Sequence, residues 1–348
     1  MNPFAYQRPE APEAAVQAVA AAGAKFLAGG TNLIDLMKDG VERPTRLVDV
    51  NHVGLDKIDA SAAGARIGAG VRNSDLANHP GIVANYPLLS HALLSGATQQ
   101  LRNRATTGGN LLQRTRCYYF MDTAFPACNK RKPGSGCGAL EGFNRIHAIL
   151  GQTDEGARSP HTSIATNPSD MNVALYALNA QVEVMGAKGK RTIPVREFHV
   201  LPGQTPERDT VLGPDELITA VTLPAGRFGR NSWYLKARDR QSYAFALVSV
   251  AAGLEMDGGA IRSAGLALGG VAHKPWHSAE AEAALVGKPA NRETFQRVAE
   301  VVVRGAKGYK DNAFKVEMAK SCVVRALTLA AQGSTQASAQ GSALGVQA

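Results

Sequence analysis

Residues 101–137, LRNRATTGGNLLQRTRCYYFMDTAFPACNKRKPGSGC, combine two patterns that decide how the rest of the chain is interpreted. The first half contains a turn of small residues, TTGGN, which ends at Asn110. Paired glycines let the backbone approach a ligand closely and adopt torsions that other residues avoid. The second half holds three of the four cysteines, Cys117, Cys128 and Cys137. A turn suited to a nucleotide that leads directly into clustered thiols indicates two redox centres close together.

Both patterns also have simpler explanations. A Gly-Gly pair alone is most often a tight loop, and clustered cysteines can be structural thiols. Buried inert cysteines usually lie in apolar helices or strands, however, whereas these three lie among residues such as Arg116, Lys130 and Pro133. We therefore favour metal or iron–sulfur ligation for the cluster. Cys322 lies in an apolar helical segment, where a core position is expected.

Composition limits the class of protein. A chain of 348 residues with 45% hydrophobic and 19% charged residues is typical of a globular protein with two or three domains. The net charge of +9 is spread along the chain, and neither an RNA-binding motif nor a zinc-finger spacing is present, so we expect no nucleic-acid partner. A basic surface suits an acidic protein partner or a phosphate-bearing cofactor equally well.

The sequence also bears on location. No run is long and apolar enough to cross a membrane, so we expect no membrane insertion. The alanine-rich residues 14–22 follow Glu10 and Glu13 rather than basic residues, which favours a mature helix over a signal peptide. The cysteines do not form a disulfide framework. We expect a chain without its own signal, which is cytoplasmic or reaches the periplasm by co-export with a signal-bearing partner.

A second glycine turn lies earlier, in KFLAGGTNLIDLMK at 25–38. The pattern predicts a strand, a glycine turn and a helix that begins at Leu33. Thr31 or Asn32 can cap that helix, and the unpaired N–H groups there form a site for a phosphate. The segment GAG at 68–70 suggests a dinucleotide fingerprint, but Asn73 occupies the position of its third glycine, so we discount it.

Later segments alternate between strands and helices. IATNPSD at 164–170 predicts a turn before a helix, with Asp170 at or near its N-terminus. MDGG at 256–259 predicts a hairpin turn. The other periodic segments are predicted as a helix over 86–100, a hairpin over 181–194, strands over 216–223, 243–254 and 260–268, and helices near 292–304 and 313–332.

Three segments in this order resemble one family: KFLAGGTNLIDLMK, LRNRATTGGNLLQ and NPSDMNVAL. The chain is similar to the FAD-binding (medium) subunits of the molybdenum hydroxylases, the family of xanthine dehydrogenase, carbon monoxide dehydrogenase and bacterial aldehyde oxidoreductases. The resemblance continues through YLKARDRQSYAFALVSVAA and ALGGVAHKPW. It implies an α+β protein, in which a PCMH-type (vanillyl-alcohol-oxidase-like) two-subdomain FAD-binding fold precedes a C-terminal α+β domain like that of carbon monoxide dehydrogenase flavoprotein.

The resemblance also implies a division of the chain. The expected regions are FAD-binding subdomains over 1–55 and 56–226, a C-terminal domain over 230–332 and a tail over 333–348. The second subdomain contains a cysteine-rich insertion over about 114–163. The tail consists of Ser, Gln, Ala and Gly with few bulky apolar groups, so we expect it to be disordered.

The cysteine insertion resembles that of periplasmic aldehyde oxidoreductase medium subunits and, more distantly, that of 4-hydroxybenzoyl-CoA reductase. In both, four cysteines hold an extra [4Fe-4S] cluster. Cys117, Cys128 and Cys137 match three of these ligands, but Ser163 stands at the position of the fourth. Alternatives for the fourth ligand are the Ser163 oxygen, His161, or no protein ligand. We favour a [4Fe-4S] cluster with a ligand other than cysteine.

The flavin site follows from the same resemblance. The implied pyrophosphate-binding residues are Leu27, Ala28, Gly29, Gly30, Thr31, Asn32 and Leu33, and the second flavin turn comprises Thr106, Gly108, Gly109 and Asn110. Asp170 matches an acid near the adenosine half, Lys236 a base near the isoalloxazine, and Ile218 lies in the strand packed on the ring. Without the resemblance, Asp170 reads as a helix cap and Lys236 as a solvated surface lysine.

The implied function is electron transfer in an FAD-dependent oxidoreductase complex with no catalytic side chain in this chain. Substrate oxidation takes place at a molybdenum cofactor on a large subunit, and [2Fe-2S] clusters on a small subunit pass electrons to this FAD. An external acceptor, a quinone, a protein or oxygen rather than NAD, then receives them. Alternatives are a stand-alone flavoprotein oxidoreductase of the same fold and a non-enzymatic iron–sulfur or zinc module.

Overall fold

The N-terminal region is a small parallel sheet with helices beside it. The computed structural model describes residues 1–226 and 228–333, so the predicted disordered tail lies outside the described residues apart from Gly333. The elements are β1 (Ala5–Gln7), α1 (Pro12–Val19), β2 (Ala24–Leu27), α2 (Leu33–Lys38) and β3 (Arg46–Asp49). The strand order is β1-β3-β2, and both pairings are parallel. The predicted strand, turn and helix over 25–38 are confirmed.

The central region is built on a five-stranded antiparallel sheet with the order β4-β5-β8-β6-β7. Its elements are β4 (Ile58–Ser61), β5 (Gly64–Gly68), α3 (Asn73–Asn78), α4 (Pro80–Asn85), α5 (Pro87–Ser95), α6 (Gln99–Arg102), α7 (Thr107–Leu111), α8 (Tyr118–Met121), α9 (Asp170–Ala177), β6 (Gln181–Gly186), β7 (Gly189–Pro194), α10 (Val195–Phe198) and β8 (Leu217–Leu223). The single helix predicted over 86–100 is wrong. It is divided into α5 and α6 because the chain turns at Gly96 and Ala97, where Ala97 has φ +53°.

The cysteine insertion joins α7 to α9 and contains only the short helix α8. Little of its backbone is paired in regular structure, so side chains and isolated bridges hold it in place. Cys128 and Cys137 form one antiparallel bridge, and Thr153 and Ser163 form another. The insertion therefore depends on its neighbours for its shape.

The C-terminal region is a three-stranded antiparallel sheet, of order β11-β10-β9, covered by helices. Its elements are β9 (Ser232–Ala237), β10 (Val248–Asp257), β11 (Ala260–Gly269), α11 (Ala279–Leu285), α12 (Arg292–Val302) and α13 (Phe314–Gln332). The predicted hairpin is confirmed, but its first strand begins at Val248 rather than at residue 243. The stretch before Val248 instead joins β9 to β10 as an irregular connection.

The C-terminal sheet is buried on both faces. Alternate residues of β10, such as Val250 and Leu254, pack against α12 and α13, whereas Ala251 joins the core of the central region. Gly265 lies so close to α9 that a Cβ there would overlap the carbonyl oxygen of Ala177. This close packing fixes the C-terminal end of α9 against the C-terminal sheet.

Across the part of the chain that the structure describes, no helix is both long enough and apolar enough to cross a membrane.

Candidate functional site

The first glycine turn follows β2 and leads into α2. Residues 27–33 are all half-buried, as expected for the wall of an open cleft. The N–H groups of Gly30, Thr31 and Asn32 have no protein acceptor within residues 1–226 and 228–333. Gly30 has φ +78°, a conformation that favours glycine. The turn therefore presents free donors on a backbone that carries little side-chain bulk.

Asn32 does not cap α2 as predicted. It occupies the N-cap position, but its side chain makes no capping hydrogen bond. Its Oδ1 accepts instead from the backbone N–H of Arg114, at 3.0 Å. Its Nδ2 is buried and, among the residues described, has no partner. A buried donor without a partner is costly, so this amide is available to a ligand.

Most backbone N–H groups of the second glycine turn are paired with protein acceptors. Thr107 and Gly108 donate their N–H groups to the carbonyls of Val71 and Ala69, at 2.9 and 2.8 Å. Gly109 donates to Oγ1 of Thr106, which caps α7. The backbone here is a rigid support, in contrast to the open first turn.

The two turns are in direct contact. A Cβ at Gly29 would overlap the carbonyl oxygen of Arg104, just before the second turn. Arg72 and Asn51 bridge the same two turns from behind: Arg72 donates to the Arg104 carbonyl at 2.6 Å and to Asn51 Oδ1 at 3.2 Å, and Asn51 Nδ2 donates to the Ala28 carbonyl at 2.9 Å. No sequence pattern predicts this clamp of Arg72 and Asn51, because both residues are of types that are common on polar surfaces.

Asp170 and Lys236 form a buried ion pair. Lys236 Nζ lies 2.8 Å from Asp170 Oδ2, with side-chain exposures of 4% and 9%. Tyr234 donates its hydroxyl to Asp170 Oδ1 at 2.6 Å. Burial, reinforced by the Asp170 charge, raises the pKa of Tyr234 well above its usual value, so the phenol stays protonated. The reading of Lys236 as a solvated surface lysine is wrong, because β9 brings it against α9 and α5.

The ion pair changes the expectation for these two residues. The structure brings the two residues into contact, and the separate roles expected for them at a flavin stay predictions. Asp170 is the first residue of α9 rather than its cap. Ser169 caps the helix through Oγ, which accepts from the Asn172 N–H at 3.1 Å. The Ser169 hydroxyl also donates to Asn110 Oδ1 at 2.8 Å and so links the second turn to Asp170.

A small cleft opens beside Asp170, and we call it the Asp170 cleft. Its lining includes Arg116, Asn167, Ser249, Phe245 and Gly270. Arg116 lies over the ring of Phe245, at 5.3 Å from its centroid. None of these residues was predicted, because they come from segments far apart in sequence. Ile218, which was predicted, is 4% exposed in the core of the central region, and its contact with a flavin stays a prediction.

The three clustered cysteines line one enclosed space together with Ser163. We call this small space the cysteine cavity. Burial raises the pKa of the Cys117 thiol to about 12, and burial also raises the pKa of Cys137. His161 is directed elsewhere, with Nδ1 at 3.1 Å from Glu155 Oε2. Of the fourth-ligand candidates, Ser163 is therefore the one in the cavity.

The thiols do not converge on a point. Across residues 1–226 and 228–333, no three His, Cys, Asp or Glu side chains are placed to hold a single metal ion. The ligands of an iron–sulfur cluster bind separate irons and surround the cluster, so they need not converge. Cys322 lies apart from the cavity, in the C-terminal core.

A buried charge network connects the cysteine cavity to the first turn. Asp209 Oδ1 lies 2.7 Å from Lys130 Nζ, and Asp209 Oδ2 lies 2.7 Å from Arg114 Nε. Arg114 also pairs with Glu42, just after α2, at 2.8 Å. Burial alone would raise the pKa of Asp209, but the charges of Lys130 and Arg114 hold it well below its usual range. The network was not predicted, since Asp209 lies in a connection without a motif.

The Asp170 cleft and the cysteine cavity share a wall. At three places along the chain, one residue lines the cleft and its neighbour in sequence lies on the cavity side. The residues that line the cleft are Arg116, Ile146 and Thr166. Cys117 and Ala165 line the cavity, and His147 contacts the Cys117 thiol there. The two sites are therefore back to back.

Comparison with known proteins gives the site its context. A family model described as "FAD binding domain in molybdopterin dehydrogenase" matches residues 2–226, and one described as "CO dehydrogenase flavoprotein C-terminal domain" matches residues 233–330. The chain belongs to the FAD-binding subunits of the molybdenum hydroxylases. It is thus an FAD-binding oxidoreductase subunit with the fold that its sequence led us to expect.

Individual relatives of this flavoprotein subunit support the same family assignment. It is 52% identical over 330 residues to the aldehyde oxidoreductase FAD-binding subunit PaoB of Escherichia coli (strain K12), with coverage of 94% of this chain and 98% of the relative. It is 26% identical over 331 residues to the carbon monoxide dehydrogenase medium chain of Afipia carboxidovorans, with coverage of 93% and 95%. Carbon monoxide dehydrogenase from Hydrogenophaga pseudoflava has a similar structure, with TM-score 0.73 and 26% identity over 94% of this chain and 97% of that one.

The residues of the flavoprotein subunit fit FAD. Within the described residues, the first turn offers unpaired N–H groups and the unpaired Nδ2 of Asn32, which suit phosphate oxygens. Gly29 lets the second turn pack directly against this backbone. The cysteine cavity in turn fits an iron–sulfur cluster, because thiolates are its usual ligands.

The clamp behind the turns yields a prediction. Arg72→Met removes the hydrogen bonds to Arg104 and Asn51, so the turns lose their alignment and FAD binds about tenfold more weakly, the equivalent of about 1.4 kcal/mol. Titration of FAD by the quenching of its fluorescence measures the dissociation constant. Arg66→Met is the matched control, because Arg66 is exposed on β5 and, among the described residues, pairs only with Glu183 across the sheet. Equal FAD affinity in the two variants would contradict the role of the clamp.

Proposed function

We propose that this chain is the electron-transfer flavoprotein subunit of a molybdenum-containing aldehyde oxidoreductase. The observation that carries the proposal is the direct contact of the two glycine turns, one with free donors and one largely paired, near the cleft that Asp170 lines. The identity of 52% to an aldehyde oxidoreductase FAD-binding subunit supports the aldehyde class. Substrate oxidation then belongs to a partner, and this chain handles electrons.

The first turn holds the FAD pyrophosphate in this proposal. The N–H groups of Gly30, Thr31 and Asn32 and the Asn32 side-chain amide would bind its oxygens, and Gly29 allows the second turn to pack against the first. The second turn, at Thr106 to Asn110, supports the dinucleotide from the other side. The isoalloxazine lies in the Asp170 cleft, where Arg116 and Phe245 form part of the wall.

The bound FAD supplies the redox chemistry, since it can exchange electrons singly or in pairs. The protein supplies position and charge. Lys236 and Asp170 neutralise each other, which keeps a charged pair fixed at the cleft without a net charge there. Arg116 adds a positive charge that stabilises a reduced, anionic flavin. Burial lowers the pKa of Arg116, but an arginine remains protonated at neutral pH.

The cysteine cavity holds a [4Fe-4S] cluster in this proposal, with Cys117, Cys128 and Cys137 as ligands and the Ser163 oxygen as the fourth. The shared wall supports it, because a cluster there would lie directly behind the flavin. Lys130, two residues after Cys128 and in the lining of the cavity, would offset part of the negative charge of a cluster with thiolate ligands.

The expected partners are a small subunit with [2Fe-2S] clusters and a large subunit with the molybdenum cofactor, in a heterotrimer. Relatives of this chain are named as medium chains or subunits of carbon monoxide dehydrogenase, glyceraldehyde dehydrogenase and nicotine 6-hydroxylase. The alternative is a stand-alone flavoprotein, and the next experiment distinguishes it from a subunit of a complex.

Reduction by aldehyde tests the function. We expect the purified complex to contain one FAD for each copy of this chain, and its flavin absorption to bleach when an aldehyde is added without air. The isolated chain with FAD should keep its absorption, because it lacks the site of substrate oxidation. Bleaching of the isolated chain by aldehyde would favour the stand-alone enzyme. A chain that binds no FAD would remove the proposal altogether.

Iron analysis tests the cluster. Separate Cys117→Ala, Cys128→Ala and Cys137→Ala changes should each remove the iron and sulfide of one [4Fe-4S] cluster from the complex. Cys322→Ala is the matched control, because this buried thiol lies in the C-terminal core, and iron should be unchanged. Ser163→Cys should slow cluster loss in air, since thiolate replaces oxygen. Full iron content in all three Ala variants would contradict cluster binding here.

A further inference from the structure

His147 contacts a cluster thiol but lies outside the proposed ligand set. Its Nε2 is 3.0 Å from Cys117 Sγ, and the residue is 1% exposed. Its backbone is fixed on both sides. The N–H donates to the Asn144 carbonyl at 3.0 Å, and the carbonyl accepts from Lys315 Nζ at 2.8 Å and from Asn312 Nδ2 at 3.2 Å. The imidazole is therefore held against one sulfur.

The ring is confined as well as the backbone. Tyr118 and Tyr119 flank it, with ring centroids 6.4 and 6.3 Å from the imidazole. Rotation away from Cys117 would displace one of these aromatic side chains. An interaction held in this way needs little reorganisation when the charge on the sulfur changes.

His147 approaches Cys117 from outside the cysteine cavity. Ser163 belongs to the lining of that cavity, whereas His147 does not. A nitrogen in this position can donate to the sulfur, but it is less well placed than Ser163 to bind an iron. Its Nδ1 is buried and, within the described part of the chain, has no partner. Nothing there holds a proton on Nδ1, which favours the tautomer with the proton on Nε2.

We propose that His147 donates an Nε2–H hydrogen bond to the Cys117 thiolate and thereby raises the reduction potential of the cluster. Reduction adds negative charge that is shared with the sulfur ligands, so a fixed donor stabilises the reduced form more than the oxidised form. His147 is a positioning and tuning residue, not a ligand. The inference rests on the cluster proposed above.

The location of His147 places this hydrogen bond between the proposed cluster and the proposed flavin site. Its neighbour Ile146 lines the Asp170 cleft on the other side of the shared wall. A cluster behind the flavin exchanges electrons with it only if their potentials are suitably matched. A donor built into the wall itself raises the potential of the cluster without changing its ligands.

Two substitutions in the complete complex test the inference. His147→Leu removes the donor, and His147→Gln can restore an N–H near the position of Nε2. We expect both variants to keep full iron and FAD, the Leu variant to show a more negative cluster midpoint potential in an EPR-monitored redox titration, and the Gln variant to recover most of the shift. Tyr118→Phe, which changes a flanking ring without touching the sulfur, is the control and should leave the potential unchanged.

The outcomes separate the possible failures. Loss of iron in the Leu variant with retained FAD would identify His147 as a ligand and overturn the proposal. Equal potentials in the unaltered and Leu proteins would do the same. Pulsed EPR of the unaltered complex with isotopically labelled histidine needs no variant to fold: a weak nitrogen coupling is expected, and the strong coupling of an iron–nitrogen bond would refute the donor role. Absence of a cluster signal from this chain in the unaltered complex would instead reject the cluster itself.

Discussion

The close contact between Gly29 and the carbonyl of Arg104 is the constraint on which the proposed flavin site depends. Two turns that are far apart in sequence meet there without any intervening side chain. One turn belongs to the small parallel sheet and the other to the central region, so the contact is also where these two regions meet. Arg72 and Asn51 hold the contact from behind, while the unpaired donors of the first turn face no protein acceptor in the described ranges. The arrangement is rigid where it must support a ligand and open where it must bind one.

The other site residues are joined to this contact in a continuous series. Asn110 accepts from Ser169, Ser169 caps the helix that begins at Asp170, and Asp170 pairs with Lys236 on the C-terminal sheet. On the other side, Asn32 accepts from Arg114, whose side chain joins the buried charge network around Asp209. Removal of one partner from such a buried pair typically costs about 3–5 kcal/mol, because the other charge is left uncompensated. The charged side chains that hold the irregular cysteine insertion in place therefore also border the first glycine turn.

Local sequence was sufficient where a short segment determines its own structure. The strand, turn and helix over 25–38 and the hairpin around Gly258 have turn residues and periodicity that admit one interpretation. Prediction from local sequence failed where contacts between distant segments determine the structure. Strand β9 was missed because its pattern is clear only against β10, and the burial of Lys236 follows from that pairing. His147, Arg72 and Asp209 carry no motif, and only the fold brings them to the sites.

The central claim is that the absence of a side chain at Gly29 lets the two turns form one FAD site. The flavin-to-protein ratio of purified Gly29→Ala, beside Gly213→Ala, tests it most directly. A Cβ at Gly213 would meet only the flexible side chains of Asp215 and Glu216. Overpacking typically costs about 1–3 kcal/mol, so the Gly29 variant should fold but bind FAD about tenfold or more weakly, with Gly213→Ala unchanged. A folded Gly29→Ala protein that retains its full complement of FAD would contradict the account.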